Sequence, residues 1–596
     1  MDPALQQLMQ RGGGGDTLEA ILRLAPTASR LPHGAREVAR FGPIRTVRLA
    51  RRDIRQIWAH PFTASLKAPR LMKLERPFQP PPSMVPTDES ERRPGQLPGS
   101  GKGVVVGIID WGFDIGHPAF LDAAGRTRVR ALWDQRDRAG PGAKPNPYGY
   151  GRVLNREMID AGLKSGAPYR ALGYHPGTSD KGVGAHGTHV ADIAAGSPRL
   201  GGPGGLAPDA ELVFVHLGGP PLDGMASLGD SVRILEAVDF IGRIAGGRPL
   251  VINASIGTHG GPHTGETLVE RALDAFVEGR QNTQIVQSGG NYYLAGTHAN
   301  GRLAPGRSRT LDWQVSRRDP TTNEMEIWYS NRDRFGLSVK APGARRAVDV
   351  RLGETRVLRG SLGQEIGRIY HRAFDPNTPD HHIDIFLAPD APAGIWQVEL
   401  TGEQISNGRF DAWIERDRAG RRGQSKFTAR DISQEGTTGS ICNGFVTIAV
   451  GAADTRGALP RPARFGSSGP TRDGRTKPDL VAPGVRIRAA RSTPKTLTSP
   501  RALSTAMSGA SQAAPFVTGV VALCLEAGQG GLTAHDIRRA VIGTAKPFPI
   551  FKGSPGQIGA GLVNPAAAVA VAAQLSKAPP TNRRKTDERF HPIFIR

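Results

Sequence analysis

Cysteine is nearly missing from this chain, with two in 596 residues. That excludes a disulfide scaffold and a zinc domain built on cysteine ligands. Long apolar runs are lacking too. The longest, such as Ala566–Leu575, are short and Ala-rich, against the ~20 residues of a membrane helix, so no membrane partner is expected. A secretory leader is not evident. Met1–Gln10 carries Asp2 and no basic residue, and Gly12–Gly15 falls where an apolar core would stand, so the expected location is the cytoplasm. Dense basic runs are scarce although the net charge is +23. Beyond Arg583-Arg584-Lys585 the arginines are scattered, with no stripe interleaved with aromatics, and nucleic acid is not the expected partner.

What is present is a globular composition: 38% hydrophobic and 22% charged residues, with 77 Gly and 48 Pro. It is rich in loops but short of the Pro and Gly content of low-complexity disorder. At roughly 150 residues per domain the length predicts about four domains. Residues 1–16 read as a loose tail. Residues 17–76 form a small α+β unit with strands at Thr17–Leu24, Ala35–Phe41, Ile44–Ala50 and Thr63–Ala68 and helical spacing at Arg51–Ala59. Residues 77–100, with Pro80-Pro81-Pro82, read as an exposed linker.

From 101 to 299, and again from 436 to 576, apolar strands alternate with amphipathic helices. Val104–Ile109 is an unbroken β-branched and Gly run, as in a strand covered on both faces of a parallel sheet, and the fold class is α/β. Residues 300–435 break that rhythm with short alternating segments such as Glu324–Tyr329 and His382–Leu387, the pattern of an inserted β-sandwich. Residues 577–596 read as a polar tail.

Three segments put reactive side chains at element ends. Asp110 follows the run Val104–Ile109, where α/β folds place their sites, although an Asp there also caps turns. His186-Gly187-Thr188-His189 opens a small-residue helix. Its two histidines lack the partners of an H-E-x-x-H metal pattern, and a general base fits better. Ser511, in Gly509-Ala510-Ser511-Gln512-Ala513-Ala514-Pro515, starts an apolar helix whose N-terminus would favour a developing oxyanion; a lone Ser there is also an ordinary cap. Pro515 is read as a first-turn residue, where no intrahelical donor is needed. The chain order Asp…His…Ser is one of the known orders of the hydrolytic triad.

These segments, with Val251-Ile252-Asn253-Ala254-Ser255-Ile256-Gly257, Gly289-Gly290-Asn291, and Phe465–Pro470 running on to Lys477–Gly484, resemble the subtilisin-like serine peptidases (the subtilase family). The resemblance implies that Ser511 is the nucleophile, His186 the base and Asp110 its orienting carboxylate. It implies that Asn291 supplies an oxyanion-hole amide, and that Ser255, Ile256 and Gly257 form the wall pairing with an extended substrate. His189 would be structural, and Cys442 and Cys524 would be small core residues in a strand and a helix. Residues 17–76 look like the family's propeptide, so the resemblance implies an autoinhibited zymogen whose own N-terminal segment is an intramolecular inhibitor, cut in 77–100. The propeptide's first helix is missing from Ala25–Gly34, which has two prolines.

Arg126–Asp137 and the insert are reminiscent of bacterial Csp-type subtilases, which carry an inserted jelly roll and of which some have lost their triads. This chain keeps all three residues. Trp111, replacing the usual Thr, is expected to narrow the cleft. No cofactor is expected; calcium is conceivable, but Asp122 alone does not make a site. The leading expectation is a serine endopeptidase acting on proteins or peptides; the alternative is an inert binding or signalling module on the same fold.

Overall fold

A computed structural model describes residues 2–9, 12–70, 97–136, 140–180, 182–198, 204–222, 225–227, 231–416, 423–495, 503–548 and 555–577. Most of the expected linker and C-terminal tail therefore lies outside the described residues.

Strand β5 (Val105–Asp110) explains the unbroken apolar run. Val106 and Ile108 enter the core on one face of the central sheet, and Val105 and Ile109 enter the core on the other. It pairs in parallel with β6 (Glu211–His216) and β7 (Leu250–Ala254). Next to β7 come β8 (Thr283–Ser288) and then, across the insert, β9 (Ile448–Asp454), all parallel. Helices α3 (His186–Ala195) and α6 (Ala510–Ala527) belong to the first core, and α4 (Ser231–Ala245) and α5 (Leu268–Glu278) to the second. This is a mainly parallel α/β sheet with both faces covered. By length and apolarity α6 would be long enough to cross a membrane, but it is a core helix, 89% buried.

The insert is a β-sandwich of antiparallel sheets sharing one core. Trp313 and Trp396 face Ile327, Ile385 and Phe410 of the opposite sheet. Its strands begin at His298–Arg302, and Arg334–Lys340, Thr355–Arg359 and Glu365–Arg372 add strands that the sequence reading did not pick out.

The N-terminal domain folds β1 (Thr17–Leu24), β2 (Arg36–Phe41), β3 (Ile44–Ala50) and β4 (Thr63–Lys67) into an antiparallel sheet of order β2-β3-β1-β4. Residues 1–16 are not simply a tail: α1 (Pro3–Met9) buries Leu5, which is 1% exposed, against the domain's own core with Ile54 and Ile57 of α2 (Ile54–Ala59). The alternation of β1 sends Ala20 and Leu22 to that core and Ile21 to the other face. There Ile21, Val38, Phe41 and Ile44 pack on α4 and α5, with Phe41 6.2 Å from Phe276. Charge reinforces the docking. Arg48 binds Glu236 through two bonds of 2.8 and 2.9 Å, and Arg233 binds Glu19 at 2.9 and 2.6 Å.

Candidate active site

Asp110 is the last residue of β5 and is fully buried. The backbone N–H of Trp111 donates to its Oδ1 at 2.7 Å, and the chain turns at Gly112, whose φ is +74°. Trp111 does not narrow the cleft: it is 3% exposed and packs into the core. The first N–H groups of a helix have no intrahelical acceptor. In α3 those of Gly187 and Thr188 donate to the carbonyls of Trp111 and Gly112, both at 2.9 Å. Those bonds pin the head of α3 to the turn after β5. Gly187 is needed for the approach, since a Cβ there would meet the Phe113 ring at 2.9 Å. His186, the first residue of α3, thereby places Nδ1 2.8 Å and 2.9 Å from the two oxygens of Asp110. A carboxylate only accepts, so Nδ1 carries the proton and Nε2 keeps the basic lone pair.

Ser511 is the second residue of α6 and is fully buried. Its Oγ and the Nε2 of His186 are both buried and make no hydrogen bond among the described residues. The Oγ–Nε2 bond is thus not formed in the intact chain, in line with catalytic bonds that tighten only around substrate. Pro515 lies past the first turn, inside α6. Lacking an N–H, it cannot bond the carbonyl four residues earlier, and that carbonyl is Ser511's. Ser255 Oγ donates to it instead, at 3.3 Å. The wall residues Ser255, Ile256 and Gly257 are buried directly after β7, so proline at 515 ties the wall to the nucleophile.

Asn291 follows β8. Ala510 N–H donates to its Oδ1 at 2.9 Å, which orients the amide. Its Nδ2 stands 3.6 Å from where a Cβ on Gly509 would lie, at the head of α6. The loop carrying Asn291 is held by Ser467, which accepts from Tyr292 N–H at 2.9 Å and donates its own N–H to Gly290 at 3.0 Å. Gly290 has φ +106°, and a Cβ there would strike Ser467 Oγ at 2.7 Å. His189 is buried, with Nε2 3.0 Å from the Ile487 carbonyl. Cys442 lies in a bend rather than a strand, buried with Sγ 3.2 Å from the Gly439 carbonyl. Cys524 is buried in α6, and burial pushes its thiol up to about 12. Asp122 spends its carboxylate within its own turn, accepting from Ala124 and Arg126 N–H at 2.9 Å each.

The sequence reading missed the insert's part in the site. Glu415 accepts from Gly260 N–H at 3.0 Å and from His259 N–H at 3.2 Å, just beyond the wall. His259 donates Nδ1–H to the Ile414 carbonyl at 3.2 Å and stacks on Tyr292, next to Asn291, at 4.3 Å. His259 is fully buried, and that burial holds its imidazole down to about 4 against the pull of Glu415; His263 is lowered in the same way. In an unfolded chain a His titrates near 6.5. Between those values the unfolded chain takes up the proton, so this contribution is complete above about pH 6.5 and fades towards pH 4. We expect urea unfolding to show a loss on the order of 3 kcal/mol from His259 across that window. His259→Asn should flatten the decline; an equal decline in both proteins would assign acid sensitivity elsewhere.

Comparison with known proteins gives the family and the fold. The sequence model of the subtilase family matches residues 101–328 and 420–580, more than half of the chain. The CspB protease of Clostridium perfringens has a similar fold, with a TM-score of 0.64 and 23% identity over 80% of this chain and 96% of its own. Fervidolysin from Fervidobacterium pennivorans, a keratinolytic enzyme related to subtilisin, gives a TM-score of 0.48 at 16% identity over 94% of this chain and 62% of its own. Subtilisin-like protease SBT3.8 of Arabidopsis thaliana is 42% identical over an alignment of 117 residues that covers 17% of this chain and 15% of that protein. The match therefore spans a small part of that relative's length.

Proposed function

Because this chain belongs to the subtilase family of serine peptidases, we propose that it is an endopeptidase that cleaves proteins through an acyl-enzyme and is made as a latent precursor. The observation that carries the reading is the His186–Asp110 pair, with Nδ1 2.8 Å from the carboxylate and Nε2 without a hydrogen bond among the described residues. Ser511 Oγ attacks the scissile carbonyl carbon while Nε2 of His186 takes its proton. The tetrahedral oxyanion receives the Asn291 amide and the Ser511 backbone N–H, which has no intrahelical acceptor at the second position of α6. Nε2–H then protonates the leaving amine, and the acyl-enzyme is hydrolysed by water through the same steps in reverse. Asp110 holds the imidazole in the tautomer that this requires and stabilises the imidazolium. Ser255, Ile256 and Gly257 pair with the extended substrate backbone.

Latency is supported by the complete burial of Ser511 in the intact chain and by the apolar and ionic docking of the N-terminal domain on α4 and α5. In this reading that domain is the intramolecular inhibitor. A fluorophosphonate probe tests the proposal. Protein freed of its N-terminal domain should form an adduct on Ser511, and Ser511→Ala should form none. An unlabelled Ser511 in that freed protein would return the inert binding module.

A further inference from the structure

Where the N-terminal domain, the catalytic domain and the insert meet, a cavity is lined by Arg70, Thr258, Gly260, Glu326, Trp328 and His382. Arg70 follows β4 and is fixed by its backbone, its N–H donating to Ser231 Oγ at 3.0 Å and its carbonyl accepting from Ser231 N–H at 2.9 Å. Its guanidinium binds Glu326, whose side chain is completely buried, and lies 3.7 Å from Glu324. Trp328 Nε1–H donates to the other oxygen of Glu326 at 3.1 Å.

The other carboxylates nearby have further partners. Asp375 pairs with Lys67 at 2.7 Å and Arg372 at 3.6 Å, Asp384 lies 3.9 Å from Arg372, and Glu415 accepts backbone N–H groups. Among the described residues, Arg70 is the only guanidinium or ammonium paired with Glu324 or Glu326. His382 Nε2 is buried, 3.0 Å from Glu326 and 3.2 Å from Asp384, without the alignment of a hydrogen bond.

A metal is a poor fit for this place, although ligand atoms of Glu326, His382 and Asp384 lie within 4.8 Å of one another. His382 Nδ1 faces Arg372 Nη2, and a guanidinium can only donate. Nδ1 is therefore the acceptor, the ring proton sits on Nε2, and no lone pair is aimed at the carboxylates. The pocket asks for an organic cation.

We propose that Glu326 and Glu324 form a subsite for an Arg or Lys side chain of the protein substrate, on the N-terminal side of the scissile bond, and that Arg70 fills it in the intact chain. The proposal rests on the endopeptidase reading and names its substrate class. Ser255 touches Ser511, and the wall runs on from Gly257 directly into Thr258 and Gly260 of the cavity. At ~3.3 Å per residue a strand laid along it reaches the pocket roughly four residues before the cut. Once the N-terminal domain leaves, the buried Glu326 carboxylate has lost its guanidinium, a costly state that a substrate cation relieves.

The test is to digest a peptide mixture prepared without cutting at Arg or Lys, using self-processed protein, and to read the cleavage sites by mass spectrometry. Arg and Lys should be enriched about tenfold at one position three to six residues before the cut, the factor that ~1.4 kcal/mol gives. In Glu326→Gln the enrichment should fall to background. Glu324→Gln, at a partly exposed residue, should reduce it several-fold and serves if the buried variant does not fold. Cleavage without that enrichment, or enrichment undiminished in both variants, overturns the subsite and leaves the peptidase standing. No cleavage together with no fluorophosphonate adduct overturns the peptidase reading and the subsite with it.

Discussion

Ser511→Ala protein is expected to keep its N-terminal domain covalently attached and to lose about 10⁶ in turnover. The size of the effect follows from the roles. Removing Oγ abolishes the covalent route, and His186 and Asp110 then have no proton to transfer, so all three contributions vanish together. The residual rate would come from the oxyanion donors and binding alone. The N-terminal sequence of purified protein reads processing, and hydrolysis of an unstructured protein substrate reads turnover. If Ser511→Ala is shortened like wild type, another peptidase makes the cut. If it also retains turnover, Ser511 is not the nucleophile.

Glu236→Ala should release the cut N-terminal domain about 100-fold faster. Glu236 is completely buried and Arg48 is 8% exposed. Burial works against the charge of Arg48, yet Glu236 and Glu19 hold its guanidinium above its ordinary value. Breaking a buried pair by removing one partner costs about 3–5 kcal/mol, because the other charge stays buried without compensation. The lower end applies here, since Glu19 lies 3.5 Å from Arg48 and offers a substitute. Replacing both residues with apolar ones, Arg48→Met with Glu236→Leu, should restore most of the retention. Co-elution of the fragment with the catalytic domain measures this, and equal retention in Glu236→Ala and wild type would show that the Arg48–Glu236 pair does not hold the domain.

Much of the site was legible because each reactive residue sits at the end of an element whose period is local. The unbroken run before Asp110, the small residues around His186 and the apolar stretch after Ser511 each mark a strand end or a helix start. Pro515 was misjudged because the sequence does not show where α6 begins, and that start decides whether the missing N–H leaves the Ser511 carbonyl unbonded. Helix α1 was missed because seven residues are too few to form a helix unaided, although Leu5, Leu8 and Met9 share one helical face; Leu5 becomes a core residue only once the N-terminal sheet is there to cover it. Glu415 and His259 were invisible as a pair because they stand 156 residues apart.

The amino-acid order alone determined the layered α/β body, the sandwich within it and the element ends that carry Asp110, His186 and Ser511. Backbone sterics and side-chain alternation act between near neighbours, so those features can be read from any short window. Only the tertiary structure decided which charges meet: Arg48 with Glu236 across 188 residues, and Arg70 with Glu326 across 256. Such pairings depend on how whole domains dock, because a charge is stabilised by the partner and the dehydration that docking supplies, and neither is encoded in the residues beside it.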